Sequence, residues 1–176
     1  MKPAPFEYHA PASVAEAVSL LGSLEDAKVL AGGQSLIPLL NFRLARPAPL
    51  VDIPRLEALS RVSERDGGLA VGATVRQADL ESNPLAAESC PLLPLALRLV
   101  AHAVIRNRGT VCGSLAHADP AAELCATLLA LEGRVIARSE RGEREIAAED
   151  FFRGPMDSAL EPDELLTEAW FPPSQG

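Results

Sequence analysis

Val29-Leu30-Ala31-Gly32-Gly33-Gln34-Ser35-Leu36 runs from an apolar strand through two glycines into small polar residues. A second stretch, Arg108-Gly109-Thr110-Val111-Cys112-Gly113-Ser114-Leu115, again places glycine and hydroxyl residues at a turn. Glycine lets a backbone approach a ligand closely and take a positive φ, and successive amide N–H groups can then point at anionic oxygens. Ser35, Thr110 and Ser114 add hydroxyl donors. One Gly-Gly pair by itself is more often a tight turn than a site. Two such segments in one chain make a pyrophosphate clamp an even alternative. Neither stretch contains G-K-S/T, so neither is a Walker A loop, and neither is the G-x-G-x-x-G of a Rossmann site.

Working outward, Ser13-Val14-Ala15-Glu16 has the S-x-x-E spacing of a capping box. Val14, Ala17, Val18 and Leu21 then recur at i, i+3, i+4 and i+7, which predicts an amphipathic helix ending near Gly22. The first glycine pair closes a short strand over 27–31. Further strands are expected over 50–53, after a rigid Arg46-Pro47-Ala48-Pro49 connection, and over 69–73, after the turn pair Gly67-Gly68. Thr74-Val75-Arg76-Gln77 repeats the capping-box logic and opens another helix. Leu92 to Val104 reads as one buried helix running into the second glycine segment. Asp119-Pro120 starts the next, with Asp at the N-cap and Pro at N1, and Ala121, Leu124, Cys125, Leu128 and Leu131 form its apolar face. Residues 134–139 and 144–147, joined through Gly142, read as a hairpin, and Phe151-Phe152 and 165–171 as a final buried segment and strand. Strands alternating with helices imply α/β or α+β. A soft boundary near 52–68 separates two lobes, about 1–55 and about 56–176.

Composition narrows the function classes. The chain has 176 residues, is 48% hydrophobic and 23% charged, and carries a formal net charge of −8 from 24 acidic and 16 basic residues. That balance argues against a nucleic-acid binder, whose affinity comes from neutralising phosphates. Aromatics are only 4%, with five Phe, Tyr8 and Trp170, so a flat ligand must be held by backbone and aliphatic contacts. Cys90, Cys112 and Cys125 stand apart with no C-x-x-C pair, which reads as reduced thiols in a cytoplasmic protein. The N-terminus has no apolar h-region of a signal peptide. The most apolar stretch, 91–105, contains Pro94, Arg98 and His102 and is too short for a transmembrane segment.

The strings AGGQSLIPLLNFRLARP at 31–47, LVDI at 50–53, IRNRGTVCGSLAHADPAAEL at 105–124 and FEYHAPASVAEAVSLL at 6–21 carry a family resemblance. The chain resembles the FAD-binding medium subunit of molybdenum hydroxylases, the carbon monoxide dehydrogenase and xanthine dehydrogenase family. The resemblance implies an α+β fold of the para-cresol methylhydroxylase (PCMH) type, two lobes clamping non-covalently bound FAD. It implies that Val29, Leu30, Ala31, Gly32, Gly33, Gln34, Ser35 and Leu36 embrace the pyrophosphate together with Thr110, Val111, Cys112, Gly113 and Ser114. Val100 falls where the family has an apolar cofactor contact, Glu123 where an acidic residue binds the cofactor, and Leu166 beside the isoalloxazine. The string at 6–21 matches the family's opening helix.

Two departures from the family pattern carry expectations. Cys112-Gly113 stands where many relatives have two glycines, so position 112 should take a conformation open to other residues and Gly113 the demanding one. Relatives continue into a further C-terminal α+β domain, which this sequence is expected to lack. His117-Ala118-Asp119 reads first as a helix cap with a neighbouring histidine. Three scattered histidines make no metal cage. Arg106 and Arg108 are a solvated pair or a complement to pyrophosphate or partner charge, with even weight. No side chain is nominated as catalytic acid or base. The implied role is electron transfer from two 2Fe–2S clusters on a small subunit, fed by a molybdopterin centre on a large subunit, to NAD⁺, a quinone or oxygen, within a dimer of heterotrimers. A truncated, non-catalytic FAD-binding or assembly module, and a self-contained FAD oxidase of the same fold, are the alternatives.

Overall fold

The Ser13 hydroxyl accepts from the Glu16 amide at 3.1 Å, and Glu16 Oε2 accepts in return from the Ala12 amide at 2.7 Å. These bonds start helix α1 (Val14–Ser23), whose Ala17, Val18 and Leu21 are buried as their spacing predicts. The computed structural model describes residues 2–46 and 49–174, so Pro47 and Ala48 of the expected rigid connection lie outside the described residues. Strand β1 (Glu7–His9) precedes α1, and β2 (Lys28–Leu30), α2 (Leu36–Asn41) and β3 (Pro49–Asp52) follow it. The three strands form a parallel sheet in the order β1-β3-β2. Only β1 lacks a signature in the sequence, since its residues are exposed or half-buried and show no alternation.

The second sheet is antiparallel and five-stranded. Its hairpin β4 (Val62–Arg65) and β5 (Gly68–Gly72) turns at Asp66 and Gly67, with φ of 52° and 73°, the two positive values a tight hairpin turn requires. A helical run follows: α3 (Gln77–Glu81), α4 (Pro84–Ser89), α5 (Leu92–Leu99), α6 (Ala103–Arg106), α7 (Val111–His117) and α8 (Glu123–Ala130). The chain then forms β6 (Arg134–Ser139), β7 (Gly142–Ala147), α9 (Ala148–Phe151), the small pair β8 (Phe152–Gly154) and β9 (Asp157–Ser158), and β10 (Leu165–Phe171). Strand order is β4-β5-β10-β6-β7, so the last strand is central and six of its seven residues are buried. Ala17, Val18 and Leu21 of α1 join Val51 and Ile53 beside the first sheet and Leu69, Val71, Val135, Ala169 and Phe171 of the second in one apolar core. The class is α+β. Among the described residues no helix is long and apolar enough to cross a membrane.

Four sequence expectations need correction. Thr74 does not cap α3: that helix begins at Gln77, because Gln77 N–H donates to Gly109 O and Val111 N–H to Val75 O, holding 75–76 extended against the second glycine segment. The single buried helix over 92–104 is broken: α5 ends at Leu99, Ala101 takes φ 40° and α6 starts at Ala103. Leu95, Leu99 and Val104 are 56%, 72% and 74% exposed, so the apolar run is not one buried face. The second glycine segment is a helix from Val111, not a turn, and Gly113 has no positive φ; Gly33 does, at 72°. Asp119 caps a turn through its Oδ1 and the Ala121 amide, 2.9 Å, and α8 itself begins at Glu123.

Candidate functional site

The two glycine segments, distant in the chain, meet at backbone contact. A Cβ on Gly32 would lie 2.4 Å from Arg108 O, 2.7 Å from Gly109 Cα and 3.0 Å from Thr110 N, so only glycine permits this approach. Gly33 beside it needs its positive φ. Among the described residues, the amides of Gly33, Gln34, Ser35 and Leu36 donate to no protein acceptor, which leaves four successive N–H groups for a ligand. Gln34 Nε2 donates to Gly32 O at 3.3 Å and steadies the loop.

The second segment is braced from behind. The Arg76 guanidinium donates to Arg108 O, and Thr110 N-caps α7, its hydroxyl accepting from Gly113 N–H at 3.1 Å. A Cβ on Gly113 would sit 2.6 Å from that hydroxyl oxygen. Thr110→Val should therefore lower stability by about 1 kcal/mol, measured by chemical denaturation; an unchanged midpoint would show the cap is dispensable.

These loops form one side of a cleft of about 750 Å³, a size suited to an extended organic ligand. Of the residues singled out in the sequence, Val29, Ala31, Gly32, Gly33, Gln34, Ser35, Leu36, Val100, Thr110, Cys112, Gly113, Ser114, Glu123 and Leu166 line it. Leu30 and Val111 stand behind it: Leu30 O accepts from Ile53 N–H, and Val111 is wholly buried. His117 and Asp119 also line the cleft. Arg106 is neither solvated nor turned to the cleft. Its Nε meets Glu81 Oε2 at 2.7 Å and its Nη1 donates to Val100 O at 2.9 Å, bracing the turn at Ala101. Arg108 is exposed.

Burial pushes the Cys112 thiol far above the ordinary range, with the charge of Glu168 adding to it, and Cys112 Sγ donates to Val71 O at 3.5 Å. Burial, and secondarily Asp119, pushes Cys125 up to about 11. Both thiols are protonated near neutral pH and are not nucleophiles.

Sequence reasoning missed a third part of the lining, where Ser158, Leu160, Glu161, Pro162 and Glu164 border the cleft. Their residue types carry no motif; the fold alone brings them there. Burial works to raise the Glu164 pKa, but the hydrogen bonds from Arg144 and the Glu161 amide, with the charges of Arg144 and Arg141, outweigh it and hold the carboxyl below its usual range. A folded pKa below the unfolded value of about 4.3 gives stability present above that pH and lost as pH falls through the folded value. Glu164→Gln should therefore flatten the acid limb of melting temperature against pH below about 4.3. Parallel acid limbs in thermal melts of the two proteins would count against this.

A family model described as the FAD binding domain in molybdopterin dehydrogenase matches residues 4–174. The chain is 46% identical over 173 residues to the alpha subunit of a 6-hydroxypseudooxynicotine dehydrogenase complex from Paenarthrobacter nicotinovorans, covering 98% of this chain and 58% of that protein. It is 41% identical to the carbon monoxide dehydrogenase medium chain of Hydrogenophaga pseudoflava, covering 98% and 60%. The structure of quinoline 2-oxidoreductase from Pseudomonas putida 86 superposes with a TM-score of 0.96 at 41% identity, covering 99% of this chain and 61% of that one. The chain thus spans about three-fifths of the length of the relatives it matches.

Proposed function

The chain belongs to the FAD-binding domain family of the molybdopterin dehydrogenases, and from that premise we propose that it binds FAD non-covalently in the cleft and serves as the flavin-carrying part of a molybdenum hydroxylase. The family membership and the α+β fold that the resemblance implied are borne out. One observation carries the reading of the site: among the described residues the four successive amides of Gly33 to Leu36 have no protein acceptor, in a cleft-lining loop that meets the second glycine segment at backbone contact through Gly32.

In this reading the amides of 33–36 and the hydroxyls of Ser35, Thr110 and Ser114 hold the pyrophosphate. Val100 and Leu166 supply an aliphatic bed for the ring, in keeping with a chain poor in aromatics. Glu123 offers a carboxylate to the cofactor's hydrogen-bond donors. Gly32 serves by absence, letting the loops close. The segments of about 1–55 and 56–176, each with its own sheet, are the two jaws. When bound, the flavin supplies one- and two-electron chemistry, and the protein contributes placement and electrostatics instead of a catalytic acid or base.

The partners in this reading are a molybdopterin-binding large subunit and a 2Fe–2S small subunit, assembled as a dimer of heterotrimers in the cytoplasm. The names of the relatives support such a complex: one is a subunit of a dehydrogenase complex and another a medium chain. The test is a fluorescence titration of the chain with FAD, followed by mixing with the two partner subunits. One-to-one binding, and flavin reduction by substrate only when both partners are present, is the expected result. A chain that takes up no FAD overturns the proposal. Direct reduction by an alcohol or phenol without partners identifies a self-contained oxidase instead.

A further inference from the structure

The part of the cleft lining formed by residues 158–164 is tied down by an arginine that does not itself line the cleft. Arg144, on β7, sends Nε to Glu164 Oε1 at 2.6 Å and Nη2 to Glu164 Oε2 at 2.8 Å and to Ala159 O at 2.7 Å. Glu164 Oε2 also accepts from the Glu161 amide at 2.8 Å, and the Glu164 amide donates to Glu161 O at 3.0 Å. One guanidinium thereby gathers both ends of the irregular segment 159–164 into a closed knot. A second pair on the same hairpin, Arg141 with Asp163, bonds to its outer side.

Glu164 is the centre of the knot. Its side chain is 3% exposed, yet the residue lines the cleft. A buried carboxylate without a partner is strongly destabilising, and one turned on an anionic ligand would repel it. Here both carboxylate oxygens are engaged and the charge is matched by the forked guanidinium.

The knot leads directly into β10. Leu165 and Leu166 follow Glu164, both line the cleft, and the pairing of β10 with β6 shifts register between Leu166 and Glu168. A bulge of this kind re-aims the side chains beside it. Thr167 Oγ1 donates to Ile136 O at 3.1 Å and Thr167 O accepts from Ala73 N–H, so the bulge is fixed on its far side. On its near side Leu165 and Leu166 pair with Arg138 and Ala137 of β6, and the Arg144–Glu164 knot anchors the segment that leads into them.

We propose that Arg144, acting through Glu164, is a positioning residue for the cofactor: it sets the 159–164 wall and, through it, the placement of Leu165 and Leu166 against the ring. The proposal rests on the FAD reading above. Arg144→Gln should raise the FAD dissociation constant at least about tenfold and change the vibronic structure of the bound flavin's absorption. Arg144→Lys should recover only part of the affinity, because an ammonium cannot span Glu164 and Ala159 as the fork does. Arg138→Gln, which breaks the exposed pair with Glu143 on the same hairpin, should leave both readouts unchanged.

Amide hydrogen exchange on the ligand-free protein gives a measurement independent of FAD. Exchange at Glu161 and Glu164 should quicken at least about tenfold in Arg144→Gln while Val71 in β5 stays protected. A lowered melting temperature with wild-type FAD affinity and absorption would reduce Arg144 to a structural role and overturn the proposal, as would unchanged exchange over 159–164. A wild-type chain that binds no FAD while the variant loosens 159–164 would instead defeat the FAD reading. If Arg144→Gln does not fold, the Lys variant carries the same comparisons.

Discussion

Gly32→Val should abolish FAD retention, lowering affinity at least about a hundredfold, about 2.7 kcal/mol. The ideal Cβ falls 2.4 Å from Arg108 O and 2.7 Å from Gly109 Cα, and both obstacles are backbone. Arg108 O is further held by Arg76, so the second segment cannot step aside without losing that bond. The two loops must part, and the amides of 33–36 then no longer sit beside Thr110 and Gly113 in the cleft lining. Gly67→Ala is the control: its φ is +73°, but its Cβ meets nothing within 4 Å, so it costs stability through backbone strain and leaves FAD binding alone. Fluorescence titration with FAD separates the two. Wild-type affinity in Gly32→Val would show that the pyrophosphate is not held between these loops. Gly33→Val and Gly113→Val should each weaken binding by a different route, the first through the φ of 72° that a β-branched residue resists and the second through the Thr110 cap.

Phe151→Ala should destabilise the fold by about 3–5 kcal/mol. Phe151 is wholly buried, and its ring meets that of Phe152 edge-on, with centroids 5.0 Å apart and planes at 77°. For a chain of this size the loss corresponds to a fall in melting temperature of roughly 6–20 °C. The site feels the change as well, because Phe151 O accepts from the Ala159 amide at 2.7 Å, within the 158–164 part of the cleft lining. FAD at a hundred times its dissociation constant should return about 2.7 kcal/mol by binding only the folded state. Calorimetry with and without FAD tests both figures. A loss below about 1 kcal/mol would mean that the core collapses to fill the space.

The elements legible in the sequence are those whose residue types state a local requirement. Ser13 and Glu16 announce α1 because capping is a bond between neighbours, and Gly142 announces the β6–β7 hairpin because its turn takes a φ of +126° there. The break between α5 and α6 left no such mark. Ala101 holds a positive φ usually given to glycine, and the bond from Arg106 to Val100 O that braces it comes from beyond the turn. Thr74 looked like a cap and is instead a buried hydroxyl without a partner among the described residues, because tertiary pairing with 109–111 keeps the chain extended there.

The same division runs through the site. The glycines of the first loop are legible in the residue type, because a close backbone approach leaves no room for a Cβ and a positive φ disfavours one. Which glycine bears which burden depends on the folded chain: Gly32 has the contact, Gly33 the φ, and Gly113 the space beside a capping hydroxyl. The fold likewise brings residues 158–164 to the cleft. Glu164 has no motif, and its role comes from an arginine 20 residues away that turns a buried charge into a knot. A requirement on the backbone can be read one residue at a time, whereas a buried ion pair exists only once two distant segments have met.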